Sequence, residues 1–131
     1  MMSFTDAVQN VLMNNYANWD GRASRSEYWW FILFYVIVGA IAGVIDSIVF
    51  ASDAMDPAAI QMNVGMIAGL ALFFPSLCVV VRRLHDLGKS GLWILIVLIP
   101  LLGAIILLVF LVMEGEQLPN QYGEVPTNTI E

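Results

Sequence analysis

The sequence predicts an all-α integral membrane protein with three transmembrane helices and a short N-terminal interfacial amphipathic helix. Of its 131 residues, 60% are hydrophobic and 12% are charged, and that charged share is roughly half of what soluble domains carry. The hydrophobic residues fall into three long runs, and the few basic residues are confined to two short stretches. A soluble domain of this size has too little interior for so much apolar surface. Composition therefore excludes a soluble globular protein, a disordered chain and a nucleic-acid binder.

The first segment, about residues 4–17, predicts a short amphipathic helix on the inner leaflet. Its apolar residues recur at helical spacing, at Phe4, Val8, Val11 and Leu12. Because the segment has no Lys or Arg, anionic lipids would not hold it, and docking on the helix bundle is the alternative. The first twenty residues also lack the charged and apolar regions of a cleaved signal peptide.

The three apolar runs cover 29–51, 58–81 and 91–113, and an acidic tail follows over 114–131. At ~1.5 Å per residue each run reaches ~34 Å, enough for a hydrocarbon core of ~30 Å. One alternative stays open for the third run, where Pro100 and Gly103 could form a re-entrant hairpin and return the tail to the inside. Each arm would then have about 8–12 residues, too few to cross, so three spans are preferred.

Orientation follows from the five basic residues, which flank the first span or lie between the second and the third. They are Arg22, Arg25, Arg82, Arg83 and Lys89. Short basic loops stay in the cytoplasm. We therefore expect a multi-pass protein of the bacterial cytoplasmic (inner) membrane, with a cytoplasmic N-terminus and 82–91 loop. The 52–57 loop lies outside in this topology, as does the tail if there are three spans.

Several residues are typical of helix ends. Ser24 and Glu27 have the spacing of a capping box at the start of the first span. Gly88 suits the position just after the end of the second span, and Ser90 could cap the third. Pro75 and Pro100 should kink their helices, because each frees the carbonyl group four residues earlier.

Two pairs of glycines predict how the first two spans pack. Gly39 and Gly43 lie in the first span, and Gly65 and Gly69 lie in the second, at nearly the same depth in an antiparallel hairpin. Glycine lets two backbones approach closely inside a membrane. We therefore expect these pairs to meet.

The candidate site is a cluster of polar residues on the cytoplasmic face. Its members are Arg22, Arg25, Arg82, Arg83, His85, Asp86 and Lys89. Because arginine binds phosphate or carboxylate through two parallel hydrogen bonds, the cluster could hold an anion or a lipid headgroup. The alternative is that topology alone requires these bases, and that Glu27 and Asp86 merely pair with them.

Catalysis by this cluster is disfavoured. His85 and Asp86 are adjacent, and adjacent helical residues do not face each other. The sequence has no nucleophile motif, no glycine-rich phosphate loop and no second histidine for a metal site. Its single cysteine, Cys78, lies in an apolar run, where a buried small residue is expected. We predict no enzyme activity, no cofactor and no metal.

Asp46 is the one charged residue within the apolar runs. An acid inside a membrane suggests a functional role by default, because its insertion is costly. Asp46, however, is only about 8 Å of helix from the outer end of its run. We expect it to reach water or headgroups there, with ion or proton conduction as the alternative.

The polar cluster and its surroundings resemble the family of domain of unknown function 805, the YhaH-like bacterial inner-membrane proteins. The matching stretches begin at Gly21, Arg82, Ile99 and Asn120 and include the run Arg-Arg-Leu-His-Asp between two spans. The resemblance covers about residues 8–126. In the tail, Gln121 stands where the family often has an arginine. The resemblance implies a small multi-span plasma-membrane protein and no particular activity.

Together these observations favour a non-enzymatic membrane module that binds a membrane partner protein or an anionic lipid headgroup. A subunit of an oligomeric small transporter or channel is the alternative, since three short spans leave little room for a pore within one copy. That alternative requires a homo-oligomer. No nucleic-acid partner is expected.

Overall fold

The computed structural model describes residues 3–49 and 63–124, and most of these residues are helical. The helices are α1 (Phe4–Gln9), a π-helical turn (Asn10–Asn14), α2 (Arg25–Val49), α3 (Val64–Asp86), a 3-10 helix (Gly91–Leu98) and α4 (Leu102–Val112). The predicted outer loop, 52–57, and the end of the tail lie outside the described residues.

Helices α2 and α3 form an antiparallel pair. The start of α2 contacts the end of α3 through Glu27 and Arg82, and the end of α2 contacts the start of α3 through Asp46 and Val64. Both helices are long and apolar enough to cross a membrane. Most of their large apolar side chains are exposed, an arrangement that water disfavours and lipid accommodates.

The helix ends that the sequence predicted are confirmed. The Glu27 amide donates to the Ser24 hydroxyl at 3.2 Å, so Ser24 caps α2. After α3 the backbone turns at Gly88 with a φ of 75°, which only glycine adopts readily. Amide groups of Gly88 and Lys89 then donate to the carbonyls of His85 and Leu84, the pairing of a Schellman motif. The Ser90 hydroxyl accepts from the Leu92 amide at 3.2 Å and caps the 3-10 helix.

Asp46 has a structural partner that the sequence did not indicate. Its carboxylate accepts hydrogen bonds from the amides of Val64 and Gly65 at 2.8 and 2.9 Å. These groups are the unsatisfied donors at the N-terminus of α3, where negative charge is favourable. Asp46 therefore ties the end of α2 to the start of α3.

Glycines of both predicted pairs face one gap between α2 and α3. Gly39, Gly65 and Gly69 line a gap of about 70 Å³ between α2 and α3. A Cβ atom added at Gly39, Gly43 or Gly69 would meet no other group within 4 Å. Larger residues also line this gap, among them the buried Leu72.

The N-terminal segment docks on the bundle, which was the alternative to a helix lying free on the membrane. Its Val11 side chain is fully buried in the core, and the ring of Phe4 packs edge-on against Trp30. The hydroxyl of Tyr16 donates to the carbonyl of Ala71, the group that Pro75 leaves without its helical partner. The freed carbonyl is therefore satisfied from outside α3.

The prediction of one continuous third helix over 91–113 is wrong. The run breaks at Ile99–Leu101 into the 3-10 helix and α4, and Leu101 adopts a φ of 63°. The two arms lie against each other, and the Trp93 and Phe110 rings meet at 5.7 Å. We call residues 91–112 the apolar hairpin. Its arms have 8 and 11 residues and each is about 16 Å long.

The physical reason for the break is local. Pro100 cannot donate a backbone hydrogen bond, and the chain reverses beside it instead of continuing. Gly103 then lies directly on the backbone of Ile96, where an added Cβ atom would overlap the Ile96 carbonyl oxygen. Because the chain reverses, the tail returns to the end of the helix pair where α2 begins, not to the opposite end.

We expect Gly103→Ala to destabilise the protein by about 1–3 kcal/mol, the usual cost of forcing an extra group into a packed contact. Gly39→Ala is the matched control, because its Cβ would enter open space. Thermal unfolding in detergent, followed by circular dichroism, measures both. Equal stability of the two variants would contradict the close contact at the hairpin.

Candidate functional site

Three separate parts of the chain meet at one end of the helix pair. They are the segment before α2, the last turn of α3 and the tail after α4. Six titratable residues from the segment before α2, the first turn of α2 and the last turns of α3 are buried there, at 8% exposure or less: Arg22, Glu27, Arg82, Arg83, His85 and Asp86. We call Arg22, Arg82 and Arg83, with the carboxylates of Glu27 and Asp86, the buried arginine cluster.

Arg82 and Glu27 form the first ion pair of this cluster. One guanidinium nitrogen of Arg82 lies 2.9 and 3.1 Å from the two carboxylate oxygens of Glu27. The side chains are only 2% and 1% exposed, and the Asn10 side-chain amide donates to the same carboxylate. Glu27 therefore does not reach back to complete the capping box. It joins the N-terminal segment, α2 and α3 instead.

Asp86 holds the other two arginines. Its carboxylate is 2.9 Å from Arg22 and 2.7 Å from Arg83, one arginine on each oxygen. Three guanidinium groups thus share two carboxylates, which leaves one positive charge without a carboxylate inside the cluster. A buried charge of this kind requires further hydrogen bonds.

Backbone carbonyls of the apolar hairpin supply part of them. Arg83 donates to the carbonyls of Leu111, at 3.3 Å, and Met113. Trp29 also donates to Leu111, and Arg25 donates to Val112 at 3.5 Å. The last carbonyls of a helix have no partner within it and carry partial negative charge. The arginines therefore satisfy the end of α4 while α4 compensates their charge.

The tail completes the cluster. Arg22 donates to the carbonyls of Glu116 and Leu118 at 2.6 and 3.0 Å, and the Glu116 amide donates to the Asp86 carbonyl at 2.8 Å. At Gly115 an added Cβ atom would overlap the Asp86 carboxylate. The tail is therefore fitted closely against α3.

His85 is held between the tail and the segment before α2. Its Nδ1 donates to the Gly21 carbonyl at 2.9 Å. Its ring lies parallel to that of Tyr122, with the centroids 3.9 Å apart, and the Asn120 side chain donates to the His85 carbonyl. These contacts fix the position of His85 between the two segments.

The sequence grouped residues that the structure places at one end of the helix pair, but it did not identify their partners. Arg22, Arg82 and Arg83 bind Glu27, Asp86 and the backbone, as the structural alternative predicted. Arg25 and Lys89 are half-buried at the edge of the cluster, and binding of an anion or headgroup by the whole set stays a prediction. The contributions of Asn10, Asn120 and Tyr122 were missed. The return of the tail to this end was the alternative that Pro100 and Gly103 indicated in the sequence.

These features define a class: a small helical membrane protein with two long apolar helices, an apolar hairpin and a buried charge cluster at one end. The chain belongs to the family described as protein of unknown function DUF805, which it matches over residues 16–124.

Two relatives in Escherichia coli K12 support this assignment. The chain is 40% identical to the inner membrane protein YhaI over 116 residues, which is 88% of this chain and 91% of YhaI. It is 35% identical to the inner membrane protein YhaH over 115 residues, 88% of this chain and 92% of YhaH. No solved structure matches this chain.

We expect Glu27→Gln to destabilise the protein by about 3–5 kcal/mol, because it leaves the buried Arg82 guanidinium without a carboxylate. The double variant Glu27→Met with Arg82→Met should recover much of the loss, since replacing both partners of a buried ion pair by apolar residues is often neutral. Unfolding in mixed detergent micelles measures the difference. Glu114→Gln, at an exposed tail position, is the control. A native-like Glu27→Gln variant would contradict a structural role for the pair.

Proposed function

We propose that this protein is a non-enzymatic module of the bacterial inner membrane that binds anionic lipid headgroups at its cytoplasmic face. The proposal includes a topology in which α2 and α3 cross the membrane and the apolar hairpin enters and leaves on the cytoplasmic side. Each arm of that hairpin is about half as long as a hydrocarbon core of ~30 Å. The convergence of Arg22, Asp86 and the tail supports a common side for all three.

The distribution of basic residues supports the cytoplasmic assignment. All five cluster at the end where α2 begins and α3 ends. Basic residues in short loops keep those loops on the cytoplasmic side of the membrane. Asp46 caps α3 at the other end of the pair. Its two amide partners favour the interfacial role over ion conduction.

The observation that carries the proposed function is the different environment of the cations. Arg22, Arg82 and Arg83 are buried and each pairs with a carboxylate, whereas Arg25 and Lys89 are half-buried at the edge and pair with no carboxylate among the described residues. Both contact the end of α4: Arg25 at the Val112 carbonyl, and Lys89 over the Phe110 ring at 4.8 Å.

Aromatic residues beside these two cations are typical of headgroup depth. Trp29 and Trp93 are both partly exposed, and indole rings collect at the boundary between lipid and water. Lys89 also lies 5.4 Å from the centre of the Trp93 ring, a cation–π contact that positions the ammonium group. The buried arginine cluster thus serves as a rigid base, and Arg25 and Lys89 supply charge for a phosphate.

The topology predicts that single cysteines at Ser3, Ser90 and Gln117 react from the same side. In a Cys78→Ala background, a membrane-impermeant maleimide should label all three in inside-out vesicles and none in intact spheroplasts. A cysteine at Ser52, in the loop that the sequence assigns to the outside, is the opposite control. Labelling of Gln117→Cys from outside would contradict the re-entrant hairpin.

The headgroup proposal predicts that the double variant Arg25→Gln with Lys89→Gln loses its preference for phosphatidylglycerol over phosphatidylcholine. One cation near an anionic surface contributes about 1 kcal/mol, so each substitution should weaken retention about fivefold. Native mass spectrometry of protein in mixed-lipid nanodiscs counts the retained lipids. Arg25→Lys with Lys89→Arg keeps the charges and should retain the preference. An unchanged preference in the glutamine variant would overturn the proposal.

A further inference from the structure

A groove lies along the 3-10 helix, apart from the buried arginine cluster. The turn of this helix has three residues, so side chains three positions apart lie directly above one another. Trp93 and Ile96 are stacked in this way, and the capping residues Ser90 and Ile99 lie just beyond the two ends of the helix. With Leu92 these four residues line a shallow groove of about 440 Å³. The groove is lined almost entirely by apolar residues and has a polar end at Ser90.

The length of the groove fits one lipid chain. The eight residues of the 3-10 helix, at about 2.0 Å each, give about 16 Å. Half of a hydrocarbon core is about 15 Å thick, so an acyl chain from one leaflet extends over a comparable distance. Eight residues is also unusually long for a 3-10 helix, a form that is uncommon beyond three or four residues and that keeps Trp93 and Ile96 in line.

Charge selects the occupant. The ammonium group of Lys89 lies over the ring of Trp93, and Trp93 itself lines the groove. The Ser90 hydroxyl is at the same end, so a cation and a hydroxyl group border the apolar channel where a lipid headgroup would lie. We propose that the groove binds one acyl chain of an anionic phospholipid whose phosphate lies at Lys89 and Ser90. This inference rests on the proposed headgroup function and names the lipid's binding groove.

The test uses the fluorescence of Trp93 in the full-length protein. The protein is placed in phosphatidylcholine vesicles that contain a small fraction of phosphatidylglycerol with brominated acyl chains, which quench indole fluorescence only at short range. The Trp93 contribution is the part of the quenching that Trp93→Phe removes. We expect that contribution to reach half its maximum at a brominated phosphatidylglycerol fraction about fivefold lower than for brominated phosphatidylcholine, the factor that one cation supplies.

Filling the groove should remove this signal. Ile96→Phe and, independently, the more exposed Ile99→Phe should lose the selective quenching of Trp93. Leu95→Phe, an exposed neighbour that does not line the groove, is the matched control and should keep it. Two groove-filling variants are used so that misfolding of one, detected by circular dichroism, leaves the other to decide.

The outcomes separate the two proposals. If Lys89→Gln abolishes the preference for phosphatidylglycerol and both groove variants abolish the Trp93 quenching, the inference is supported. If phosphatidylglycerol is preferred but Trp93 in the groove variants is quenched as in the native protein, the proposed acyl-chain groove is wrong and headgroup binding stands. If the native protein quenches equally with both lipids, headgroup selection by Lys89 is wrong and the proposed site is overturned.

Discussion

The need to satisfy the backbone carbonyls at the end of α4 organises this protein. A short helix that ends within or against a membrane cannot leave its last carbonyl groups without partners. Arg83, Arg25 and Trp29 supply the donors, and all three lie at the start of α2 or near the end of α3. The apolar hairpin is therefore fixed to the two long helices through its polar end, while its apolar surface remains available to lipid.

The same donors explain why the charge cluster is buried. Two carboxylates cannot compensate three guanidinium groups, and carbonyls of the hairpin and the tail provide further acceptors for Arg83 and Arg22. Removing either partner of an ion pair would leave a buried charge, which costs more than the pair contributes. The cluster is best understood as a structural base that joins three segments of chain. The cations with a different environment, Arg25 and Lys89, lie at its edge beside tryptophans.

Several features of the candidate site followed from residue type and spacing alone. Ser24, Gly88 and Ser90 mark helix ends because capping depends on local hydrogen bonds. The grouping of Arg22 with Arg82 and Arg83 followed from the sidedness of basic loops. The partners of Asp46 could not be predicted from the sequence. They are backbone amides at the N-terminus of α3, and no charged residue in the sequence marks that position. The open space at Gly39 and Gly69 also could not be predicted from the sequence. The distance between two helices depends on every side chain that lies between their backbones.

The sequence by itself determined that the chain belongs in a membrane, that it contains long apolar helices and that its basic residues gather in two short stretches. These properties depend on composition and on the length of apolar runs, which tertiary contacts do not change. The tertiary structure decided the course of residues 91–113. An apolar run interrupted at Pro100 can cross a membrane with a kink or fold back, and both choices bury similar surface in lipid. Contacts with residues far away in the sequence decide between these two courses. Only the reversed chain places the α4 carbonyls at Arg83 and the tail at Arg22.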